Sequence, residues 1–352
     1  MAFVPNKSLE ITTGLCSDLS AQRWDAFVSG APDGSVFHRF GWKRIFERAY
    51  GNECVYLMAE ENGLPVGVLP LVFKKSLFFG RFLVSLPYFD HVGICCKRDD
   101  VRKILLLRAQ ELARERKAAH IELRHNREVG LGLLTKQSKV AMVLEIPSDP
   151  EKLWSSLKAK VRNQVRKAEK EGLSVSEGKS ELLDCFFNVY AANMRDLGSP
   201  SHCRKFFLEI CETYPESVRI FCVKDTGVTI AAGFTIASKR TLTIPWASSL
   251  RKYNSRCPNM LLYWSILKHA CESGFGEFSF GRSTPDEGTY QFKKQWGAEA
   301  KPLYWQYWLS NGGKVPELNM ENSKYSLPIK IWKSMPVAVT KALGPRLIQN
   351  LP

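Results

Sequence analysis

The sequence predicts an α+β fold in which one layered domain is used twice. Two β-hairpins of similar plan occur, one in each half of the chain, and similar helices flank both of them. Helices that alternate with antiparallel hairpins are typical of a sheet with helices packed against it. The chain has 352 residues, 45% of them hydrophobic, which is sufficient for two packed cores.

The hairpins supply the main strands of both domains. Residues 55–73 contain Asn62-Gly63, two residues that tolerate the positive φ angles of a tight turn. Residues 220–238 repeat the plan, with the turn at 224–227 between two apolar runs. Each domain is therefore predicted to contain a mixed, mainly antiparallel sheet flanked by helices.

The elements around the hairpins complete the two domains. An aromatic-rich helix precedes each hairpin, and a long amphipathic helix and a strand follow it. The predicted ranges are 37–49, 101–117 and 120–124 in the first half, and 182–195, 260–272 and 277–281 in the second. Pro147 and Pro150 interrupt both periodicities. We therefore predict domains at 1–147 and 148–352, with a tail from about residue 312 that ends in an apolar, basic stretch.

Charge and composition narrow the range of functions. Fifty Lys and Arg against 35 Asp and Glu give a net charge of +15, which favours a polyanionic partner; good solubility is the alternative explanation. The chain starts without a secretory signal, so its ten cysteines are expected to be reduced thiols of a cytoplasmic protein. No CxxC or HExxH spacing occurs, and we expect no metal. The apolar runs are shorter than the ~20 residues of a membrane span.

A basic helix is predicted at residues 151–172. Its inward stripe consists of Leu153, Leu157, Val161, Val165 and Ala168. Cationic residues recur every four positions on another face, at Lys158, Arg162, Arg166 and Lys170. Like charges at this spacing repel one another, so a bound anion would stabilise the stripe. A solvated helix face is the alternative.

Two loops carry further candidates. After the strand at 277–281, Lys293 lies between Phe292 and Trp296, where it can stabilise a developing oxyanion or simply extend along the aromatic rings. The loop at 250–262 contains Arg251 and leads into a helix, whose N-terminus can attract an anion or be an ordinary cap. Asp90, with the neighbouring His91, lies in an apolar loop, where satisfied hydrogen bonds are more common than an acid–base pair.

These segments resemble the FemAB-type peptidyltransferases. The run Lys160-x-Arg162-Asn163-x-x-Arg166-Lys167-Ala168 resembles the start of that family's second domain. The stretch from Phe280-Gly-Arg-Ser283 to Gly288-Thr-Tyr-Gln-Phe-Lys293-x-x-Trp296-Gly297 resembles its C-terminal signature, and Phe37-His-Arg-Phe-Gly-Trp-Lys-Arg44 its first-domain substrate segment. The match runs from about residue 15 to the end and is strongest to FemAB-like proteins associated with exosortase and PEP-CTERM exopolysaccharide systems.

The resemblance implies two tandem GNAT domains with one site in the cleft between them. It implies transfer of an acyl or aminoacyl group to an amine of a cell-envelope precursor, as in peptidoglycan, or of an exopolysaccharide precursor, with no covalent intermediate. The donor would be aminoacyl-tRNA, acyl-CoA or an acyl-carrier thioester, with no tightly bound cofactor. Lys293 beside Phe292 would act electrostatically, and Asp90 and Tyr290 are candidate proton acceptors. Predicted contacts to an anionic donor and a diphosphate-containing acceptor are Lys43, Arg44, Arg162, Asn163, Arg166, Arg251, Asn259, Arg282 and Trp296.

The chain departs from the family in three ways that leave alternatives open. It lacks the coiled-coil arm of some FemAB enzymes, and Trp296-Gly297 replaces Phe-Gly, which both count against tRNA. The glycine-rich pyrophosphate loop of acetyl-CoA-binding GNAT domains is missing, which counts against simple acetyl transfer. One alternative is an N-acyltransferase with an acyl-CoA or acyl-carrier donor. The other is a non-catalytic binding protein, either a nucleic-acid-binding module or a scaffold of exopolysaccharide assembly. For the scaffold, the tail residues Lys330, Trp332, Lys333, Lys341 and Arg346 are expected to touch anionic lipid at the inner membrane.

Overall fold

Two mixed sheets flanked by helices make up the protein, in a computed structural model that describes residues 11–76, 79–312, 315 and 323–351. The first sheet has the strand order β1-β2-β3-β4-β6-β15-β7, and a short strand β5 pairs with β3. Its strands are β1 (Ile11–Leu15), β2 (Glu53–Glu61), β3 (Leu64–Ser76), β4 (Gly80–Val84), β5 (Cys95–Cys96), β6 (His120–His125), β7 (Leu134–Lys136) and β15 (Tyr304–Leu309). All pairs are antiparallel except β4 with β6.

The second sheet has the order β14-β8-β13-β12-β11-β10-β9. Its strands are β8 (Val140–Glu145), β9 (Ser174–Gly178), β10 (Val218–Asp225), β11 (Val228–Ser238), β12 (Thr241–Ser249), β13 (Glu277–Ser283) and β14 (Glu299–Pro302). Only β12 and β13 run parallel. The predicted α+β class with two related, mainly antiparallel sheets is confirmed.

The predicted hairpins are confirmed as β2–β3 and β10–β11. Asn62 and Gly63 have φ angles of 52° and 75° in the first turn, and Thr226 and Gly227 have 43° and 88° in the second. Two successive positive φ angles produce the turn twist that matches paired strands. Local turn chemistry therefore specifies both hairpins.

The sheets exchange strands across the predicted domain boundary. β8 lies before residue 147 but pairs with β13 and β14 of the second sheet. β15 lies in the second half of the chain but fills the first sheet between β6 and β7. The boundary at 147/148 stays a prediction, and neither sheet is complete on one side of it.

Helices flank both sheets. They are α1 (Ala21–Gly30), α2 (Gly41–Tyr50), α3 (Asp99–Glu115), α4 (Pro150–Ser156), α5 (Ala159–Lys170), α6 (Leu183–Leu197), α7 (Arg204–Thr213), α8 (Pro258–Glu272), α9 (Gly288–Lys294), α10 (Ser323–Ser334) and α11 (Val337–Ile348). Four lie close to the predicted ranges 37–49, 101–117, 182–195 and 260–272, whereas α1 and α7 were not predicted. The basic helix predicted at 151–172 is divided into α4 and α5, because Leu157 and Lys158 adopt extended ψ angles of 144°. Leu157 is still buried, so the inward stripe survives the break.

An aromatic core joins the two halves. Phe46 of α2 contacts Phe206 of α7 with ring centroids 5.8 Å apart, and Phe89 contacts Trp246 of β12 at 5.9 Å. These rings belong to one buried cluster with members from both sheets. The halves are therefore packed against each other, and the cleft between them has rigid walls.

The tail predicted from residue 312 falls partly outside the described residues. Its last part forms α10 and α11, which pack on α6. Within the described ranges, no helix has the length and apolar character needed to span a bilayer.

Candidate functional site

A cavity of about 340 Å³ lies in the cleft between the two halves. It opens where two parallel strands separate, because β12 and β13 pair only from Thr241 to Thr243 and then diverge. Pro245, which lines the cavity, has no N–H to donate to a neighbouring strand and so suits this opening. Asp90, Arg282 and Lys293 line one end of the cavity.

Lys293 is held at this end by a bulge in β13. Its Nζ donates to the carbonyl oxygens of Gly281, at 3.2 Å, and Arg282, at 2.7 Å. The pairing of β13 with β8 shifts register between Ser279 and Arg282, and Gly281 has a φ of 72°. A residue with a side chain rarely adopts this φ, so glycine allows the bulge that turns both carbonyls toward Lys293.

The ammonium group of Lys293 sits in a mixed electrostatic environment. Its pKa is lowered to about 8, chiefly by burial; the carboxylate of Asp90 opposes this shift and the nearby Arg282 adds to it. Arg282 Nη1 lies 3.3 Å from Asp90 Oδ1. The end of the cavity thus has two cationic groups and one carboxylate, which together favour a ligand with developing negative charge.

Asp90 is positioned by strands of the first sheet. Trp305 of β15 donates its indole N–H to the carbonyl oxygen of Asp90 at 3.1 Å. Arg124 of β6 is fully buried, donates to the carbonyl oxygen of Phe89 at 2.8 Å and stacks on Trp305 at 4.3 Å. The exchanged strand β15 therefore fixes the loop that faces Lys293.

The same loop contains strained backbone. Leu86 and Tyr88 are not glycines but have φ angles of 50° and 76°. Such residues cost on the order of 1–3 kcal/mol each and occur mostly at functional sites. The strain directs Phe89 and Asp90 into the cleft.

His91 also lines the cavity. It was noted beside Asp90 in the sequence but was not included among the candidate site residues. Its Nδ1 is buried and without a hydrogen-bond partner in the described part of the chain. Burial lowers the pKa of the imidazole, and Asp90 raises it. The imidazole is therefore mostly neutral near pH 7. A histidine beside an acid in an apolar loop was the available signal, but it does not distinguish a catalytic group from a structural one.

The other end of the cavity is mainly apolar. It is lined by Tyr88, Tyr190, Met194, Trp246, Ile348 and Leu351. Two polar residues also line it, His202 and Ser199, and burial lowers the pKa of His202 to about 3, so its imidazole is neutral. Tyr88 donates its hydroxyl to the carbonyl oxygen of Ile348 at 3.1 Å and accepts from the buried Lys74 Nζ at 3.0 Å. This chain of contacts ties the end of α11 to the first sheet and makes it a wall of the cavity.

Two further cavities border the cleft. One, of about 450 Å³, is here called the polar cavity because charged side chains of both signs line it, including Lys239, Arg240, Asp33 and Glu277. It shares Phe37, His91, Thr243 and Ser279 with the first. Another, of about 290 Å³, lies at the start of α8 and is lined by Lys160, Asn259 and Phe292, among others. Lys293 and Phe292, adjacent on α9, thus line different cavities.

Of the predicted site residues, the structure brings Asp90, Arg282 and Lys293 together, and places Asn259 and Phe292 at the α8 cavity. Tyr290 does not line the central cavity and lies under Lys294, whose Nζ is 5.7 Å from its ring. Trp296 is 1% exposed and packs in the core.

The remaining predicted contacts lie away from the central cavity. Lys43 pairs with Asp18 at 3.4 Å and Glu47 at 2.9 Å, and its neighbour Arg44 is exposed. On α5, Arg162 is half-buried, whereas Asn163 and Arg166 are exposed. Arg166 lies over Trp154 at 5.4 Å. Arg251 is exposed on the loop before α8.

The described residues contain no group of three or more His, Cys, Asp or Glu placed to hold a metal ion.

Comparisons with known proteins match this architecture. The family described as Acetyltransferase (GNAT) domain matches residues 155–294, whereas no curated protein sequence matches significantly. The crystal structure of FemX has a TM-score of 0.66 and 17% identity, covering 84% of this chain and 96% of that chain. The C-terminal domain of a putative lysylphosphatidylglycerol synthetase from Agrobacterium fabrum has a TM-score of 0.57 and 14% identity, covering 84% and 92%.

A tandem GNAT protein from the clavulanic acid biosynthesis pathway is similar over its full length. Its TM-score is 0.55 at 12% identity, with coverage of 87% of this chain and 100% of that chain. At these identities the likeness concerns the fold. Residues 155–294 therefore resemble a GNAT acetyltransferase domain, and the chain as a whole has the fold of the tandem GNAT proteins.

Proposed function

We propose that this protein transfers an acyl or aminoacyl group to an amine in the cleft between its two halves. The observation that carries the proposal is the placement of Lys293, whose ammonium is held by two backbone carbonyls at one end of the central cavity, beside Asp90 and Arg282. A positioned cation at this place can stabilise the oxyanion that forms during acyl transfer. The GNAT domain match and the FemX-like fold support this class of reaction.

The reaction needs no covalent enzyme intermediate. The amine nitrogen attacks the carbonyl carbon of the donor ester or thioester, and a C–N bond forms while negative charge gathers on the carbonyl oxygen. Lys293 stabilises that charge. The C–O or C–S bond then breaks, and the leaving alcohol or thiol takes up the proton that the amine has released.

We infer that His91, rather than Asp90 or Tyr290, accepts the proton from the amine. The carboxylate of Asp90 already contacts Arg282, and Tyr290 does not line the cavity. His91 lines both the central cavity and the neighbouring polar cavity, and its Nδ1 is without a partner among the described residues. A neutral imidazole near pH 7 is suited to accept a proton.

The cavity at the start of α8 is our candidate site for the anionic carrier of the donor. Lys160 and Asn259 line it, and it lies on the opposite side of α9 from Lys293. The carrier would be tRNA, coenzyme A or an acyl-carrier protein, in keeping with the net charge of +15. Arg251 and the exposed cations of α5 would extend this surface.

The acceptor would enter from the polar cavity. Lys239 and Arg240 line it and offer contacts to an acceptor that contains a diphosphate. Lys43 is a weaker candidate for this contact, because Asp18 and Glu47 already neutralise it. A precursor of the cell envelope or of an exopolysaccharide, built at the cytoplasmic face of the inner membrane, stays our proposal for the acceptor.

Two adjacent lysines of α9 give a matched test. Lys293→Ala should reduce turnover by ~10²–10³, the usual loss when one electrostatic contact to a transition state is removed. Lys294→Ala removes an exposed lysine outside the cavity and should leave turnover nearly unchanged. Both variants would be assayed with aminoacyl-tRNA, acyl-CoA and acyl-carrier protein as donors. Equal turnover of the two variants would refute the role of Lys293, and binding of no donor by the wild type would favour the scaffold alternative.

A further inference from the structure

The central cavity has two chemically different ends. Arg282 and Lys293 lie at one end, with Asp90. The other end is formed mainly by aromatic and aliphatic side chains from α6, β12 and the C-terminal end of α11, together with the neutral imidazole of His202, whose pKa burial lowers to about 3. Its volume of about 340 Å³ is within the range of cavities that bind small organic ligands. A ligand that fits both ends has a polar head and an apolar body.

Resting on the transfer reaction proposed above, we propose that this cavity holds a medium-length saturated acyl chain as the transferred group. Its carbonyl lies beside Lys293, and its hydrocarbon chain extends past Trp246 and Met194 to Ile348 and Leu351. The donor is then an acyl thioester: the amine forms an amide with the acyl carbon, and the carrier leaves as a thiol.

The apolar end favours a hydrocarbon over the side chain of a charged amino acid. Burial of an ammonium or carboxylate there would lack a charged partner, because the charged residues that line this cavity are at the other end. Each methylene that enters the apolar end instead contributes favourably. The apolar end of the cavity therefore favours a hydrocarbon chain and disfavours a charged side chain.

The walls of the apolar end come from both halves of the chain. Tyr88 belongs to the first half, Met194 lies on α6, and Ile348 and Leu351 lie at the end of α11. Tyr88 is bonded to the carbonyl oxygen of Ile348 at 3.1 Å, and Ser76 Oγ donates to that of Asn350 at 2.7 Å. These contacts fix the length of the apolar end and would set the preferred chain length.

Direct binding of free fatty acids tests the cavity without the transfer reaction. Titration calorimetry with hexanoate, octanoate, decanoate and dodecanoate should show affinity rising about fourfold per added methylene until the cavity is full. Met194→Trp fills the apolar end and should abolish most of this gain, whereas the isosteric Met194→Leu should retain it. Leu351→Trp tests the same end from another element if Met194→Trp fails to fold.

The outcomes separate this proposal from the reaction on which it rests. An affinity that does not change with chain length, or that Met194→Trp and Leu351→Trp leave intact, would overturn the acyl-chain assignment. Tighter binding of phenylacetate than of any fatty acid would overturn it as well. Loss of chain-length dependence in Met194→Trp together with full turnover in Lys293→Ala would keep the ligand class and refute the catalytic role of Lys293.

A separate observation concerns the outer faces of the last two helices. On α11, Val339, Leu343 and Leu347 are spaced four residues apart and are each about 40% exposed. Thr340 and Ile348, which follow directly after Val339 and Leu347, lie on the neighbouring face and are buried. On α10, Leu327 and Ile331 are also exposed at this spacing.

Cations accompany these apolar residues. Lys330, Lys333 and Arg346 are exposed on the same two helices. Two of the residues expected to touch lipid turn inward instead: Trp332 donates to the carbonyl oxygen of Ser199 at 3.1 Å, and Lys341 donates to Asn188 Oδ1 at 2.6 Å. The exposed leucines and valine replace them as the apolar part of the surface.

We infer that this surface docks on an anionic lipid bilayer. Apolar side chains at helical spacing with flanking cations are typical of helices that lie in the membrane interface. The positive charge argues for lipid over a second copy of this chain, whose same surface would be equally cationic.

Vesicle sedimentation tests the docking surface. The wild type should bind vesicles of an equal mixture of phosphatidylglycerol and phosphatidylcholine, bind phosphatidylcholine alone weakly, and lose binding at high salt. Leu343→Glu and Leu347→Glu should each weaken partitioning at least about tenfold. Leu134→Glu changes a leucine elsewhere that is more exposed, at 55%, and should bind like the wild type. Equal binding of all variants, or a change in oligomeric state with no change in vesicle binding, would overturn the inference.

Discussion

The proposed transfer should lose its activity at a lower alkaline pH than it would if Lys293 had the pKa of an ordinary lysine. Stabilisation of an oxyanion requires the protonated form of Lys293, and burial lowers its pKa to about 8 from an ordinary value of 10.5. At pH 9 about a tenth of Lys293 is charged, whereas about 97% of an unperturbed lysine would be. The charged fraction at pH 9 is therefore about tenfold smaller than for a solvated lysine.

The assay is kcat/KM for acyl transfer from about pH 6 to about pH 10, with the uncatalysed aminolysis of the donor subtracted. The wild type should lose activity above about pH 8, because the cation disappears. Lys293→Arg keeps its charge throughout this range, since the pKa of arginine exceeds ~12. Its activity should be lower, because its fork does not match the two carbonyls, but its alkaline fall should vanish.

Asp90→Asn tests the direction in which the Asp90 carboxylate shifts the pKa of Lys293. The carboxylate raises the pKa of Lys293, so its removal should move the alkaline fall to still lower pH. An alkaline fall that is identical in the wild type and Lys293→Arg would refute the reasoning, because some other group would then be titrating.

Three further predictions concern neighbouring residues. Lys74 is fully buried and its pKa is lowered to about 7, so between about pH 7 and pH 9.5 the unfolded chain binds a proton that the folded chain does not. The stabilisation of Lys74→Met over the wild type, measured by urea unfolding, should therefore fall by about 1 kcal/mol or more per pH unit as the pH rises; a constant difference would contradict this. Gly281→Ala forces a side chain into a φ of 72° and should cost about 1–2 kcal/mol of unfolding free energy and reduce turnover; normal turnover would show that the bulge does not position Lys293. His91→Gln should reduce kcat by ~10²–10⁴ and be partly rescued by added imidazole, whereas unchanged kcat would exclude His91 as proton acceptor.

The sequence predicted those features that depend on residues close together in the chain, such as a hairpin turn and the buried side of a helix. Asn62-Gly63 specifies its hairpin through two φ angles, and the inward stripe from Leu153 to Ala168 is buried despite the break between α4 and α5. Lys293 was reached through a motif, and the cavity contains it. These predictions rest on residues near one another in the sequence.

Contacts between residues far apart in the sequence could not be predicted, because no local pattern connects the partners. Lys43 pairs with Glu47 at the helical i,i+4 spacing, but its second partner, Asp18, is 25 residues away and no spacing rule connects the two. Trp305 reaches Asp90 over 215 residues of chain. The short strands β8 and β15 carry too few residues for their patterns to identify a partner sheet.

The position of β15 has a consequence for how the protein is made. Because β15 fills the gap between β6 and β7, the first sheet has an open edge at β6 until residue 309 has left the ribosome. The first sheet therefore cannot finish folding before β15 is synthesised. The edge of β6 stays unpaired while more than half of the chain is added. Arrest of translation before β15 should leave a species prone to chaperone capture, whereas arrest after it should release a protease-resistant first sheet.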